Sequence, residues 1–283
     1  MMFRPRESYD QRVLESRLVI LPEPVELRYV HDVFGNCVGI ARFGLPATEL
    51  VFDSLVRLEH TPSPVVSDEG DAFDCNATYP FAYSVEDMPD LLRSIERCHP
   101  DPDQAIEAWA RRFVKPAGST ALLDMLSDMT RAIHVEFTYG TRLLGHAQTP
   151  TETLALASGS CRDFAVLMIE AVRSLGLAAR FVSGYIYSRS SGAAAGRRLG
   201  GGHTHAWVRV YLPSCGWVEF DPTNGLIGAD DLIRVAIARD PRQALPLWGT
   251  YAGESDDYLG MDVSVDVAIE ADSDNRTAFA LAS

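Results

Sequence analysis

Cys161 stands in the stretch Ser158-Gly-Ser-Cys-Arg-Asp-Phe-Ala-Val-Leu-Met168, where three small residues give way to an apolar run. Ser158, Gly159 and Ser160 suit a turn. Phe164, Val166, Leu167, Ile169, Ala171 and Val172 have helical spacing, and Gly176 supplies a stop. A thiol in the first turn of that helix faces unpaired backbone N–H groups and the positive end of the helix dipole, which favour a thiolate. Downstream lie His205, in Thr-His-Ala-Trp, and Asp221, in Glu-Phe-Asp-Pro-Thr-Asn. Cleaving an amide needs a nucleophile, a proton carrier and a group that orients the carrier. Cys161, His205 and Asp221 supply those three types in order, so the chemistry they point to is acyl transfer through a thioester.

The elements between them must bring the three together. Residues 179–187, 203–212 and 216–220 read as strands. An antiparallel pairing of the last two, through a turn near 213–216, sets His205 nearly opposite Phe220 or Asp221. Trp207 shares a strand face with His205 and is expected to wall the site. Tyr139, upstream in Phe-Thr-Tyr-Gly-Thr, is expected to line the cleft. His203, two residues from His205, would share its face on a regular strand, so a bulge or the strand start must separate their roles. Asp163, in the first turn of the Cys161 helix, is read as a structural partner of helix N–H groups. The Ser-, Gly-, Ala- and Arg-rich stretch 188–202 precedes the proposed base. It reads as a linker, or alternatively as a substrate rim.

Further helices are expected from Asp101 to about Phe113, from a Ser119 cap to Phe137, and from a Thr151 cap to about Ala157. The first 85 residues look β-rich, with strands near 13–22, 25–30 and 50–59 and a turn at Phe34-Gly35-Asn36 joining two more. Residues 261–269 alternate apolar and polar more regularly than any other stretch and are expected to return as a strand to that module. The resulting layout is a β-rich N-terminal module (1–85), a catalytic core (86–250), and a return strand with an acidic tail (251–283).

The chain has 283 residues, 47% of them hydrophobic, and a net charge of −14. That is ample for one large core and argues against a general nucleic-acid binder. No run of 18 apolar residues and no apolar leader core occurs, so no membrane association or secretion is expected. Charge is uneven. Seven arginines face only Asp163 and Glu170 between residues 161 and 213, whereas 254–274 holds eight acids and no base and reads as a solvated face. Five scattered cysteines show neither a disulfide framework nor a Cys-x-x-Cys pair, so free thiols and a reducing, cytoplasmic setting are the simplest expectation. A zinc set of Cys161, His203, His205 and Cys215 matches no familiar spacing. No metal and no cofactor is expected. The expected partner is a peptide or protein substrate, and nothing indicates an oligomeric state.

Four blocks now bear on one family: Gly-Ser-Cys161-Arg-Asp-Phe-Ala, Leu175-Gly-Leu-Ala-Ala-Arg-Phe-Val-Ser-Gly-Tyr185, His203-Thr-His205-Ala-Trp207-Val-Arg-Val-Tyr, and Gly216-Trp-Val-Glu-Phe-Asp221-Pro-Thr-Asn. In this order, over about residues 158 to 225, they resemble the bacterial transglutaminase-like family, often described as cysteine proteases. The resemblance implies Cys161 as nucleophile, His205 as base and Asp221 as its partner. It implies an α+β papain-like transglutaminase core, with helices packed on an antiparallel sheet, behind an N-terminal β-sandwich-like module. It also implies a cysteine-dependent hydrolase or acyltransferase that cleaves amide or isopeptide bonds, with protease or amidase activity favoured. Crosslinking by amine transfer is the alternative within the family. A peptide-binding module without turnover is the alternative outside enzymes.

Overall fold

A computed structural model describes residues 1–62, 75, 77–142, 145–188, 198–213 and 215–270. In chain order the elements are β1 (Gln11–Leu21), β2 (Glu26–His31), β3 (Cys37–Arg42), β4 (Val51–His60), β5 (Thr78–Tyr79), α1 (Met88–Ile95), α2 (Ala105–Arg111), β6 (Thr120–Ala121), α3 (Leu122–Glu136), β7 (Thr138–Tyr139), α4 (Pro150–Leu156), β8 (Ser158–Gly159), α5 (Cys161–Ser174), β9 (Ala179–Ile186), β10 (His205–Leu212), β11 (Gly216–Asp221), β12 (Leu226–Ile227) and β13 (Leu232–Ala238). The core is an antiparallel five-stranded sheet in the order β12-β11-β10-β9-β13.

Helix α5 covers one face of that sheet. Its apolar run buries Phe164, Leu167, Met168, Ala171 and Val172 in one cluster with Phe181 of β9, Val208 and Val210 of β10, Phe220 of β11, and Met125 and Met129 of α3. Burying that much apolar surface is the main stabilising term of such a layer. Two charged residues of α5 are also buried, Glu170 and Arg173, and they are fully paired. Arg173 donates to Glu170 at 2.9 Å and to the carbonyls of Ser94, Ala179 and Arg239, while Glu170 accepts the backbone N–H groups of Cys98 and His99. These bonds tie the rear of α5 to the segment after α1 and to the chain beyond β13.

The expected N-terminal strands are present, as two antiparallel ribbons, β1–β4 and β2–β3. They dock on the outer edge of β13 through two buried side-chain amides. Gln11 accepts from the Arg234 N–H at 2.9 Å and donates to the Arg234 carbonyl at 2.8 Å. Asn36, in the β2–β3 turn, does the same for Ile237, at 2.9 and 2.8 Å. Each amide thus supplies the donor and acceptor that a missing neighbour strand would have offered.

Several expectations need correction. Residues 261–269 form no strand with the N-terminal module. Their backbone binds the chain before β10 instead, Val265 N–H donating to the Gly202 carbonyl at 3.0 Å. Alternation encodes an extended chain with two faces and does not choose its neighbour. Cys75 and Cys215 form a disulfide across 140 residues of sequence, so these two thiols are not free; so long a separation leaves no local pattern to read. The cap of α4 is Thr149, in a capping box with Glu152, and not Thr151; α3 follows Ala121, not Ser119. Helix α2 starts at Ala105, with Asp101 accepting from the N–H groups of Ile106 and Glu107.

The amide docking has a measurable consequence. Asn36→Ala leaves a buried N–H and C=O of β13 without partners and should lower unfolding free energy by about 2–4 kcal/mol in urea titration. Removal of the exposed Arg12 head should cost under about 0.5 kcal/mol. Equal, small losses in both variants would contradict the assigned role.

Candidate active site

Cys161 is the first residue of α5, and its approach is held rigidly. The two residues of β8 pair in parallel with β7, and Gly140 N–H donates to the Gly159 carbonyl at 2.9 Å. Asp163 then locks the turn. One carboxylate oxygen accepts from the Ser160 N–H at 2.7 Å and the Ser160 hydroxyl at 2.8 Å; the other accepts from Arg142 at 2.6 Å and the Gln148 N–H at 2.7 Å. Asp163 is fully buried, and its expected structural role follows from these four bonds. Cys161 keeps 8% of its surface exposed, with its inner side in the core.

His205 opens β10, and Asp221 closes β11. Their side chains are wholly buried, and His205 Nε2 lies 2.8 Å from Asp221 Oδ2. The expected register is off by two residues. Val208 pairs with Phe220, which sets Asp221 level with Trp207 rather than His205. The imidazole and carboxylate meet on the diagonal, within reach on one face of an antiparallel pair. Asp221 is itself held by the Thr223 N–H at 2.9 Å and by the Asn224 amide at 2.8 Å.

Trp207, expected to wall the site, has no exposed surface and does not face an open cleft. It stacks behind His205, with ring centroids 5.9 Å apart and planes at 26°, and its indole N–H donates to Glu219 at 3.0 Å. Its ring lies over Gly184, where a Cβ would come 2.7 Å from it. The tryptophan supports the imidazole rather than a substrate.

The electrostatics favour a charged imidazole. Burial pulls the His205 pKa down, but the Asp221 charge and hydrogen bond outweigh it, Cys161 adds to the rise, and the pKa is pushed up to about 10. Burial likewise opposes ionisation of Asp221, and His205, Asn224 and Thr223 overcome it and hold that carboxyl below its ordinary value. His205 is therefore cationic at neutral pH. The stability its charge contributes is complete below its unfolded value of about 6.5 and is lost as pH rises through about 10. With Nε2 committed to Asp221, Nδ1 is the nitrogen left for the thiol. It is buried, and interaction with Cys161, by hydrogen bonding first and by charge second, adds to the rise of the imidazole pKa. Tyr139 joins them. Its phenol is half-buried, and its pKa is raised by burial, then by Cys161, against a hydrogen bond to Thr141, and further by Asp221, so it lies within electrostatic reach of both.

A residue that the spacing argument missed completes the arrangement. Asn224 exchanges two hydrogen bonds with Leu199, at 2.8 and 3.1 Å, while its amide also donates to Asp221. Arg198 pairs with Asp231 in the same strap. The strap lays Gly200 against the base: φ is +85°, and a Cβ there would come 2.6 Å from His205 Nδ1. Of the glycine-rich stretch 188–202, residues 198–202 form this strap, and residues 189–197 lie outside those described. His203 stands apart from the triad; its Nδ1 is 3.0 Å from the Val263 carbonyl. The signal for Asn224 was present in Asp221-Pro-Thr-Asn, because an amide three residues after a buried carboxylate can turn back on it.

Gly200→Ala and Asn224→Ala should therefore both alter Cys161 reactivity. Gly200→Ala puts a methyl group against Nδ1 in a backbone conformation that alanine resists, and should slow iodoacetamide capture of Cys161 at pH 7 at least tenfold. Asn224→Ala removes one bond from Asp221 and both bonds from Leu199, and should change the capture rate by about threefold or more. Wild-type rates in both variants would contradict this geometry.

The sheet, the α5 helix and the Cys161–His205–Asp221 arrangement define a papain-like, transglutaminase-like core. Residues 107–222 match the transglutaminase-like superfamily, and residues 1–59 match the bacterial transglutaminase-like N-terminal region. The uncharacterized protein Rv2569c of Mycobacterium tuberculosis is 30% identical over 272 residues, covering 93% of this chain and 84% of that protein. The uncharacterized protein ML0607 of Mycobacterium leprae is 28% identical over 276 residues, covering 93% and 88%. The chain belongs to the transglutaminase-like superfamily. Its fold is shared by the crystal structure of a putative cysteine protease from Cytophaga hutchinsonii, with a TM-score of 0.60, 17% identity, and coverage of 86% of this chain and 76% of that one.

Proposed function

We propose that this chain is a cysteine-dependent hydrolase of amide or isopeptide bonds, with Cys161 as nucleophile, His205 as proton carrier and Asp221 as its orienting partner. The observation that carries the reading is the buried imidazole, hydrogen-bonded through Nε2 to Asp221 and raised in pKa by both Asp221 and Cys161. An imidazolium beside a sulfur at a helix N-terminus is the setting in which a thiolate persists.

The steps balance as follows. Cys161 Sγ attacks the carbonyl carbon, and a tetrahedral oxyanion forms. The backbone N–H of Cys161, in the first turn of α5, is one of the donors that a helix leaves free for that oxygen. The C–N bond breaks, the amine departs with the His205 proton, and a thioester remains. Water then attacks the thioester while His205 takes its proton, the C–S bond breaks, and the acid leaves. An acceptor amine in place of water would give crosslinking by the same steps. Hydrolysis is the default because water is abundant. Tyr139, within electrostatic reach of Cys161, fits a substrate-contacting position. A peptide or protein is the substrate class proposed. The Cys75–Cys215 bridge counts against a reducing, cytoplasmic compartment for the mature chain.

The test is a glutamine-containing peptide library incubated with and without a primary amine. Free acid or cut chains, lost in Cys161→Ala, support the hydrolase. Stable amine incorporation redirects the reading to transglutaminase. Peptide binding without any turnover, retained in Cys161→Ala, overturns the enzyme reading.

A further inference from the structure

Three arginines meet on the face of the sheet opposite α5. Arg209 of β10 and Arg180 of β9 are direct cross-strand partners, a like-charge pair that opposes sheet formation unless something offsets it. Both touch Trp217. The Arg180 guanidinium lies 4.2 Å from its ring centre, and Arg209 donates to its carbonyl at 3.4 Å. Arg6 approaches from the N-terminal chain, anchored by Nη1 to the Phe34 carbonyl at 2.9 Å and to Asn36 at 2.6 Å. Burial first, then Arg209 and Arg6, lowers the Arg180 pKa; burial first, then Arg209, lowers that of Arg6, so the three cations lie within electrostatic reach of one another.

The neighbouring carboxylates are already committed. Glu219 is shared between Arg209 at 3.0 Å and Arg234 at 3.1 Å, and it also accepts the Trp207 indole N–H. Asp10 pairs with Arg234. Asp32 favours the charge of Arg6, but its oxygens accept from the Phe34 and Asn36 N–H groups and the Asn36 side chain. Arg6, Arg209 and Arg234 thus draw on the three carboxylates, and Arg180 has none: its sole side-chain hydrogen bond among the described residues is from Nε to the Ser94 hydroxyl, at 3.0 Å. Arg6 Nη2, both terminal nitrogens of Arg180, and Arg209 Nη1 donate to nothing among the described residues. All three side chains belong to partly exposed residues, so a solute can reach them.

We infer that Arg6, Arg180 and Arg209 form a binding site for an oxyanion, a phosphate or carboxylate group, at the seam between the N-terminal module and the catalytic core. Planar guanidiniums with free N–H pairs suit such oxygens, and a bound anion would offset the cross-strand repulsion. The site is distinct from the triad. Arg209 lies four residues along β10 from His205, about 13 Å at the usual strand rise.

Inorganic phosphate is the probe, followed by isothermal calorimetry and thermal unfolding of the full chain, with sodium chloride at matched ionic strength as control. The expected result is saturable binding of one phosphate per chain with Kd below about 1 mM and a rising unfolding midpoint. Arg180→Gln should weaken it at least tenfold, while Arg12→Gln on exposed β1 should leave it unchanged. If Arg180→Gln fails to fold, Arg6→Gln carries the same expectation. Saturable binding of acetate in place of phosphate supports the site and assigns it to a carboxylate. No saturable binding of either anion, or binding retained in both arginine variants, overturns the inference.

Discussion

The hydrogen bond between His205 Nε2 and Asp221 Oδ2 lies in a region with no exposed side-chain surface on either partner. An ion pair there must recover a large desolvation cost, and it does so only if every remaining lone pair and proton has a use. The surroundings meet that demand on the carboxylate side and leave His205 Nδ1 for the thiol. Thr223 and Asn224 donate to the carboxylate, Trp207 fills the space behind the ring, and Gly184 leaves room for the tryptophan. The order of strands follows from the same constraint, because β10 and β11 must be neighbours for the two side chains to meet on a diagonal. Trp207 extends the dependence outward through Glu219 and Arg234 to Asp10 and Gln11, so the N-terminal ribbons join a polar network that begins behind the imidazole.

Cys161 is positioned by a second buried carboxylate with a different task. Asp163 spends its lone pairs on Ser160, Arg142 and Gln148, which fixes the turn before Cys161 while the sulfur keeps a small exposed surface. At its other half, α5 is anchored by Glu170 and Arg173. The helix is thus clamped at both ends by polar bonds and along its length by the sheet. Rigid elements carry Cys161 and His205, which is what the proposed acyl transfer needs.

Much of this was legible in the chain itself. The apolar run after Cys161 has helical period, and the strands bearing His205 and Asp221 alternate, so the elements and the triad could be placed from side-chain pattern. Family resemblance added the core architecture. What escaped depends on three-dimensional proximity. Trp207 shares the His205 face, but alternation cannot tell a cleft wall from a packed backing. Cys75 and Cys215 are joined over 140 residues. The segment 261–269 has a strand's pattern yet lends its backbone to Gly202 and His203. Gln11 and Asn36 look like ordinary polar residues until the free edge of β13 is beside them. Asn224 was within view of Asp221, but its hold on Leu199 depends on where the strap runs.

In the proposed mechanism a cationic His205, held by Asp221, keeps the Cys161 thiol nucleophilic and supplies the proton to the leaving amine. The direct measurement is nitrogen NMR of the imidazole in isotopically labelled protein, titrated from pH 5 to pH 11. The account predicts that both ring nitrogens of His205 stay protonated through neutral pH and lose a proton only near pH 10, and that Asp221→Asn brings this transition down. A ring that is already neutral at pH 7, with a transition near its ordinary value of about 6.5, would contradict it.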